Sequence, residues 1–195
     1  MSQNRRILIL DGHPRSDSLC RALGEAYERG ARTAGLEVRR LVLADLAFDP
    51  ILRGKFGDDA SLEPDLLAAQ DEIRQAGHLV FVHPVWWSDL PALLKGFVDR
   101  VFLPGFAFAY RKGSPLPEKL LKGRSARLLY TMDGPSWYYR WFQGAPGLRS
   151  LSTGILGFCG VGPVRSTAFT PVRSSTPEIR RRWLEQAEAL GAKGA

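Results

Sequence analysis

Cysteine is scarce in this chain: two in 195 residues, Cys20 and Cys159, far apart and without metal-ligand spacing. That excludes a disulfide framework and a sulfur-rich metal centre, and the pair reads as reduced thiols of a cytoplasmic protein. Long hydrophobic runs are also missing, since no stretch approaches the ~20 apolar residues a membrane-spanning helix needs. The opening MSQNRRILIL holds only a short apolar run that Asp11 interrupts, a strand pattern rather than a secretory leader. There is no internal repeat, low-complexity tract or linker, so residues 1–195 are expected to form one domain. A Walker A loop and a dinucleotide glycine fingerprint are both absent. The formal net charge is +7, which favours anionic partners. The basic residues are nevertheless dispersed without nucleic-acid motif spacing, and the run Arg180–Arg182 reads as a solvated helix face.

What is present alternates between two patterns. Continuous apolar runs at 5–11 (RRILILD), 78–83 (HLVFVH) and 126–132 (ARLLYTM) suit parallel strands covered on both faces. The charged VRRLVL at 38–43 suits a sheet edge, and VRSTAF at 164–169 makes a fifth strand. Between them, helical spacing joins Leu19, Leu23, Ala26, Tyr27, Gly30 and Ala34. The same spacing joins Leu62, Leu66, Ala69, Ile73 and Ala76, and then Leu93, Leu94, Phe97, Val98, Val101 and Phe102. A last helix carries Ile179, Trp183, Ala187 and Leu190, with a Ser175–Glu178 capping box and Pro177 in its first turn. This alternation predicts a doubly wound α/β fold. A five-stranded parallel sheet of order 2-1-3-4-5 would carry helices on both faces, with a ligand crevice beyond the carboxyl ends of strands 1 and 3.

Three loops converge on that edge. DGHPRSDSLCRAL, 11–23, brings helix-start amides, the hydroxyls of Ser16 and Ser18, Arg15 and His13, a set suited to phosphate. Asp17 or Ser18 would cap the helix. HPVWWSDLP, 83–91, places two adjacent indoles at a strand-to-helix turn, either as packing or as a flat wall for a planar ring; Ser88 or Asp89 would cap the next helix. TMDGPSWYYRW, 131–141, makes a tight turn in which Gly134 offers freedom of φ, and four aromatic rings come after it. A phosphate cradle at one end and aromatic walls at the other describe a flavin mononucleotide-like ligand.

These residues also resemble a known family, the flavodoxin-like NAD(P)H dehydrogenases (quinone) of the DT-diaphorase type and their shorter bacterial relatives. PVWWSDLPALLKGFVDRVFLPGFAF, 84–108, is similar to the family's P-x-x-W-x-x-x-P-A-x-L-K-G-x-x-[DE]-R-V-F segment. GHPRSDSL at 12–19 is similar to its H-x-x-x-x-S loop, and GILGFCG at 154–160 to a further segment. The resemblance implies that His13, Ser18, Leu19 and Cys20 lie near a flavin phosphate. It places Pro84, Val85, Trp86 and Trp87 at the ring, and Thr131, Met132, Asp133 and Gly134 along the ring's polar edge. Tyr139 would be the catalytic tyrosine, with Tyr138 one position away. Phe106, Ala107 and Phe108 would contact substrate across a homodimer interface, with active sites shared between the subunits. Cys20 stands where the family commonly has Asn, Met132-Asp133 where the long relatives have Thr-Gly, and the stretch 140–147 holds no histidine to assist the tyrosine.

The activity so implied is a two-electron, ping-pong transfer from NAD(P)H through FMN, or alternatively FAD, to a quinone-like acceptor. No metal is expected. Two other readings compete: a flavodoxin-type carrier of single electrons, and a regulatory flavoprotein subunit that docks on a membrane transporter without inserting in the membrane.

Overall fold

The computed structural model describes residues 6–54 and 62–194. The expected first strand begins partly outside that range, and its observed span is Ile7–Asp11 (β1). The chain continues through α1 (Leu19–Thr33), β2 (Val38–Val42), a 3-10 turn (Leu43–Asp45), α2 (Pro64–Gln75) and β3 (His78–Pro84). Then come α3 (Ala92–Val101), a small hairpin of β4 (Phe108–Ala109) and β5 (Glu118–Lys119), β6 (Ser125–Thr131) and α4 (Ser136–Trp141). After α5 (Pro146–Arg149) the helix continues as a π-helical stretch, Ser150–Gly157, before β7 (Val164–Phe169) and α6 (Pro177–Ala192).

The main sheet has five strands in the order β2-β1-β3-β6-β7, all parallel. Counting only these strands, that is the expected 2-1-3-4-5 order, with the charged VRRLV strand at an edge. Alternation along each strand sorts the core into two layers. Ile7, Ile9, Val80, Val82, Leu129 and Phe169 pack under α1 and α6. Leu8, Leu10, Phe81, Leu128 and Tyr130 share the opposite layer with Leu66, Leu94, Phe97 and Leu151. The α1–α6 contact is close because glycines meet backbone: a Cβ on Gly30 would lie 1.9 Å from the Glu188 carbonyl oxygen, and one on Gly191 2.0 Å from that of Tyr27.

Several local expectations are corrected. Leu62 and Ala76 flank α2 rather than lie in it. Thr176, not Ser175, caps α6, accepting the Ile179 amide at 3.3 Å; Ser175 instead donates its hydroxyl to the Val172 carbonyl at 2.6 Å. Ahead of α3 the cap position is Pro91, with no side-chain bond, because Ser88 and Asp89 are occupied in a separate turn. The hairpin of β4 and β5 was not legible, since two-residue strands carry no period. Among the described residues, no helix is long and apolar enough to cross a membrane.

Candidate active site

The crevice lies where the strand order reverses, at the carboxyl ends of β1, β3 and β6. Gly12 N–H prolongs the β1–β3 ladder to the Val82 carbonyl at 2.8 Å, and Val85 N–H prolongs β3–β6 to Thr131 at 2.7 Å. These bonds carry the loops out of the sheet side by side. Two adjoining cavities result. One, of about 180 Å³, is lined by His13, Arg15, Ser18, Leu19, Cys20, Pro84, Val85, Trp86, Thr131, Met132, Asp133 and Val172. The other, of about 580 Å³, is lined by Val85, Trp86, Trp87, Ser88, Met132, Asp133, Gly134, Pro135, Tyr138, Tyr139 and Gln143. A larger cavity at the opposite end of the sheet, beside Gly77, His78 and Arg124, is remote from all three loops.

The smaller cavity sits at the start of α1. Ser18 caps that helix, its hydroxyl accepting the Arg21 amide at 3.1 Å, so helix-start amides and their partial positive charge face the cavity. Arg15 adds a cation held loosely by Asp17 at 3.4 Å. His13 accepts the Arg15 amide at Nδ1, 3.0 Å away, and burial followed by the charge of Arg15 pulls its pKa below the ordinary range. Asp11 lies beneath, its carboxylate accepting His13 N–H and its pKa raised by burial. Cys20 is buried and shares a 3.3 Å contact with Thr131 Oγ1; burial pushes its thiol up to about 12, so it serves as packing and not as a nucleophile.

The larger cavity is walled by aromatics. Trp86 meets His13 edge to face at 5.5 Å and closes the side between the two spaces. Trp87 is 100% exposed. These indoles belong to a two-residue turn in which Asp89 N–H bonds to the Trp86 carbonyl at 2.9 Å and Trp86 N–H to that of Asp89 at 3.1 Å. Trp87 (φ 50°) and Ser88 (φ 63°) are both left-handed, as a type I′ turn requires. For residues with a Cβ such a conformation costs on the order of 1–3 kcal/mol each. The sequence suggested that backbone freedom would be needed at Gly134, but Gly134 stays outside the left-handed region; the strain lies at Trp87 and Ser88. The third loop is tied to the segment after β7: Asp133 accepts the Arg173 amide at 2.7 Å, and Thr170 donates its hydroxyl to the Gly134 carbonyl at 2.6 Å.

The structure thus brings together His13, Ser18, Leu19, Cys20, Pro84, Val85, Trp86, Thr131, Met132 and Asp133 around one cavity, with Trp87 and Gly134 beside the next. Tyr139 also lines the larger cavity. That ring has 0% exposure and its hydroxyl is held by backbone, whereas Tyr138 is 46% exposed at the cleft. Phe106, Ala107 and Phe108, expected to contact substrate across a dimer interface, are interior to their own chain. Phe106 packs on Phe102 and beneath the Arg74 guanidinium. Phe108 packs on Tyr110 and Phe158 at 5.4 and 5.0 Å, because the β4–β5 hairpin folds the segment back onto the core. Only Tyr110 of this stretch is widely exposed. Gln143 and Val172 were missed. Each reaches the cleft from a loop without motif character, and only the acceptor-and-amide chemistry of Gln143 offered a signal.

The donor set suits a flavin. A helix start and Arg15 suit a phosphate, and Val85, Trp86 and Met132 line both that cavity and the aromatic-sided one. Comparison with known proteins gives the same direction. The family model described as "Flavodoxin-like fold" matches residues 5–190. A protein of Haemophilus influenzae named "Uncharacterized NAD(P)H oxidoreductase" is 29% identical over 92% of this chain and 91% of its own. NAD(P)H dehydrogenase (quinone) 1 of Cavia porcellus is 27% identical over 92% of this chain and 74% of its own. The solved NAD(P)H:quinone oxidoreductase of Methanothermobacter marburgensis superposes with a TM-score of 0.80 at 26% identity, covering 96% of this chain and 97% of that one.

Proposed function

This chain belongs to the flavodoxin-like fold family, and on that footing we propose that it is an FMN-dependent oxidoreductase. It would carry two electrons from NAD(P)H to a quinone-like acceptor. The overall balance is NAD(P)H plus a proton plus quinone giving NAD(P)⁺ plus hydroquinone. The observation that carries this reading is the joining of the two cavities along Val85, Trp86, Met132 and Asp133. It is supported by the names of the relatives, an NAD(P)H oxidoreductase and two quinone-reducing enzymes.

A bound flavin supplies the hydride-accepting and electron-donating chemistry. The helix-start amides of α1 and Arg15 bind its phosphate. Trp86, with His13 against its edge, would cover one side of the ring and keep water from it. Asp133 and the amides of the 131–134 loop hold the polar edge. Tyr138 would border the side left open, and with one open side nicotinamide and acceptor would occupy the same slot in turn. That gives ping-pong kinetics. FMN is favoured over FAD because these two cavities meet the needs of a ring and one phosphate.

The reading includes a homodimer. An apolar groove of about 280 Å³, lined by Val98, Phe102, Phe108, Tyr110, Ile155 and Phe158, adjoins the exposed ring of Tyr110. Such a patch suits a second copy of the chain.

The test is spectroscopic. Purified protein should be yellow, or become so with FMN. NADPH or NADH alone should bleach it, and a soluble quinone should restore the colour. Protein that takes up neither FMN nor FAD would end this reading, and flavin that resists both nicotinamides would favour the electron carrier.

A further inference from the structure

The two tyrosines of α4 occupy adjacent positions and opposite environments. Tyr138 lies on the surface, stacked on Phe142 at 5.5 Å with 17° between the ring planes. Tyr139 is buried, beside Tyr130 at 6.2 Å. Its hydroxyl has a fixed direction. It accepts the Leu148 amide at 3.3 Å and donates its one proton to the Ser88 carbonyl at 3.2 Å. Burial also raises its pKa.

Ser88 is the second left-handed residue of the tryptophan turn. Its carbonyl accepts twice, from Tyr139 and from the Gly147 amide at 3.0 Å, and its hydroxyl meets Gln143 Oε1 at 3.0 Å. The approach is close: a Cβ on Gly147 would fall 2.8 Å from Asp89 Cα. Nothing in the local sequence WWSD prefers two successive positive φ angles, since glycine and asparagine dominate those positions elsewhere.

We propose that Tyr139 is a positioning residue, whose hydrogen bond to the Ser88 carbonyl holds the Trp86–Asp89 turn left-handed and so fixes both indoles at the cleft. On this view its hydroxyl has no proton to offer a reactant, and Tyr138 is the tyrosine that meets what enters. The proposal rests on the flavoenzyme reading for its effect on binding and turnover, but not for its effect on the turn.

The experiment is a double-mutant cycle of Tyr139→Phe and Ser88→Gly. Glycine adopts positive φ without strain, so it should make the Tyr139 grip unnecessary. Tyr139→Phe alone should raise the FMN dissociation constant about tenfold and speed hydrogen exchange at the Asp89 amide about tenfold, because the Ser88 carbonyl loses a bond. In the Ser88→Gly background the same change should alter FMN affinity, Asp89 exchange and turnover at saturating FMN by no more than about threefold. A proton-donating tyrosine would lose turnover equally in both backgrounds, and that result would overturn the proposal. So would unchanged Asp89 exchange in Tyr139→Phe. Exchange requires no cofactor, so a protein that never binds FMN would sink the flavoenzyme reading while Asp89 still decides this one. If Tyr139→Phe alone does not fold, recovery of folding in the double variant supports the proposal and its failure overturns it.

Discussion

The His13 imidazole and the Trp86 indole meet edge to face, ring centroids 5.5 Å apart and planes at 76°. One ring comes from the loop after β1, the other from the loop after β3, so this contact joins the proposed phosphate seat to the proposed ring wall. Trp86→Ala should therefore weaken FMN binding. An aromatic contact contributes about 0.5–1.5 kcal/mol beyond its area, which sets the expected rise in dissociation constant at up to roughly tenfold. Quenching of flavin fluorescence on titration measures it. Trp87→Ala, which removes a ring fully exposed to solvent, should leave global stability within about 0.5 kcal/mol.

The phosphate seat can be tested apart from the ring. Ser18→Glu would set a carboxylate against the proposed phosphate at the start of α1, occupying the positive end of the helix dipole that would otherwise attract it. FMN retention should be lost, while riboflavin, which lacks the phosphate, should bind within about threefold of the parent protein. Equal loss of both ligands would remove the phosphate role from this loop. Ser18→Ala should cost about 1 kcal/mol of stability through the cap alone.

Both thiols should be inert in the folded chain. Burial holds Cys20 at about 12 and Cys159 at about 11, leaving almost no thiolate near pH 8. Mass spectrometry after iodoacetamide at that pH should find neither alkylated in native protein and both alkylated in denaturant. Alkylation of native Cys20 would contradict its contact with Thr131.

Two buried histidines set an acid limit on stability. Burial lowers the pKa of His78 and of His83 to about 4, with the charges of Arg127 and Arg165 adding to the effect at His78. Between that value and ~6.5 the unfolded chain binds protons that the folded chain excludes. Stability from these groups is therefore complete above about pH 6.5 and lost as pH falls toward 4, by roughly 1.4 kcal/mol per pH unit for each. Urea melts from pH 7 to 4.5 should show this slope, and His83→Gln should remove its share, leaving those of His78 and of His13, whose pKa burial also lowers. A slope unchanged by that substitution would reassign the effect to the carboxylates.

The sheet was legible because its strands are short apolar runs with nothing else they could be. ILILD, HLVFVHP and SARLLYT must be covered on both sides, and that requirement alone makes them central and parallel. VRRLV carries charge and goes to the edge. The crevice followed from strand order, and with it the loops of His13, Trp86 and Thr131. The hairpin that turns Phe106 and Phe108 inward was not legible. Apolar character says that a ring seeks cover, not whether its own chain or another provides it.

The sequence by itself determined which segments form the strands of the main sheet, in what order they lie and which three loops share an edge. These depend on local apolar pattern and chain connectivity. Tertiary structure alone decided that Tyr138 is exposed while the Tyr139 hydroxyl is tied to backbone. Neighbouring positions on a helix point ~100° apart, so a small change in how α4 docks exchanges the two. It also decided that the left-handed turn falls on Trp87 and Ser88 and not at Gly134. Intrinsic preference would have chosen the glycine, but the bonds from Tyr139 and Gly147 to one carbonyl come from residues more than fifty positions away, and no local pattern reports a grip applied from that distance.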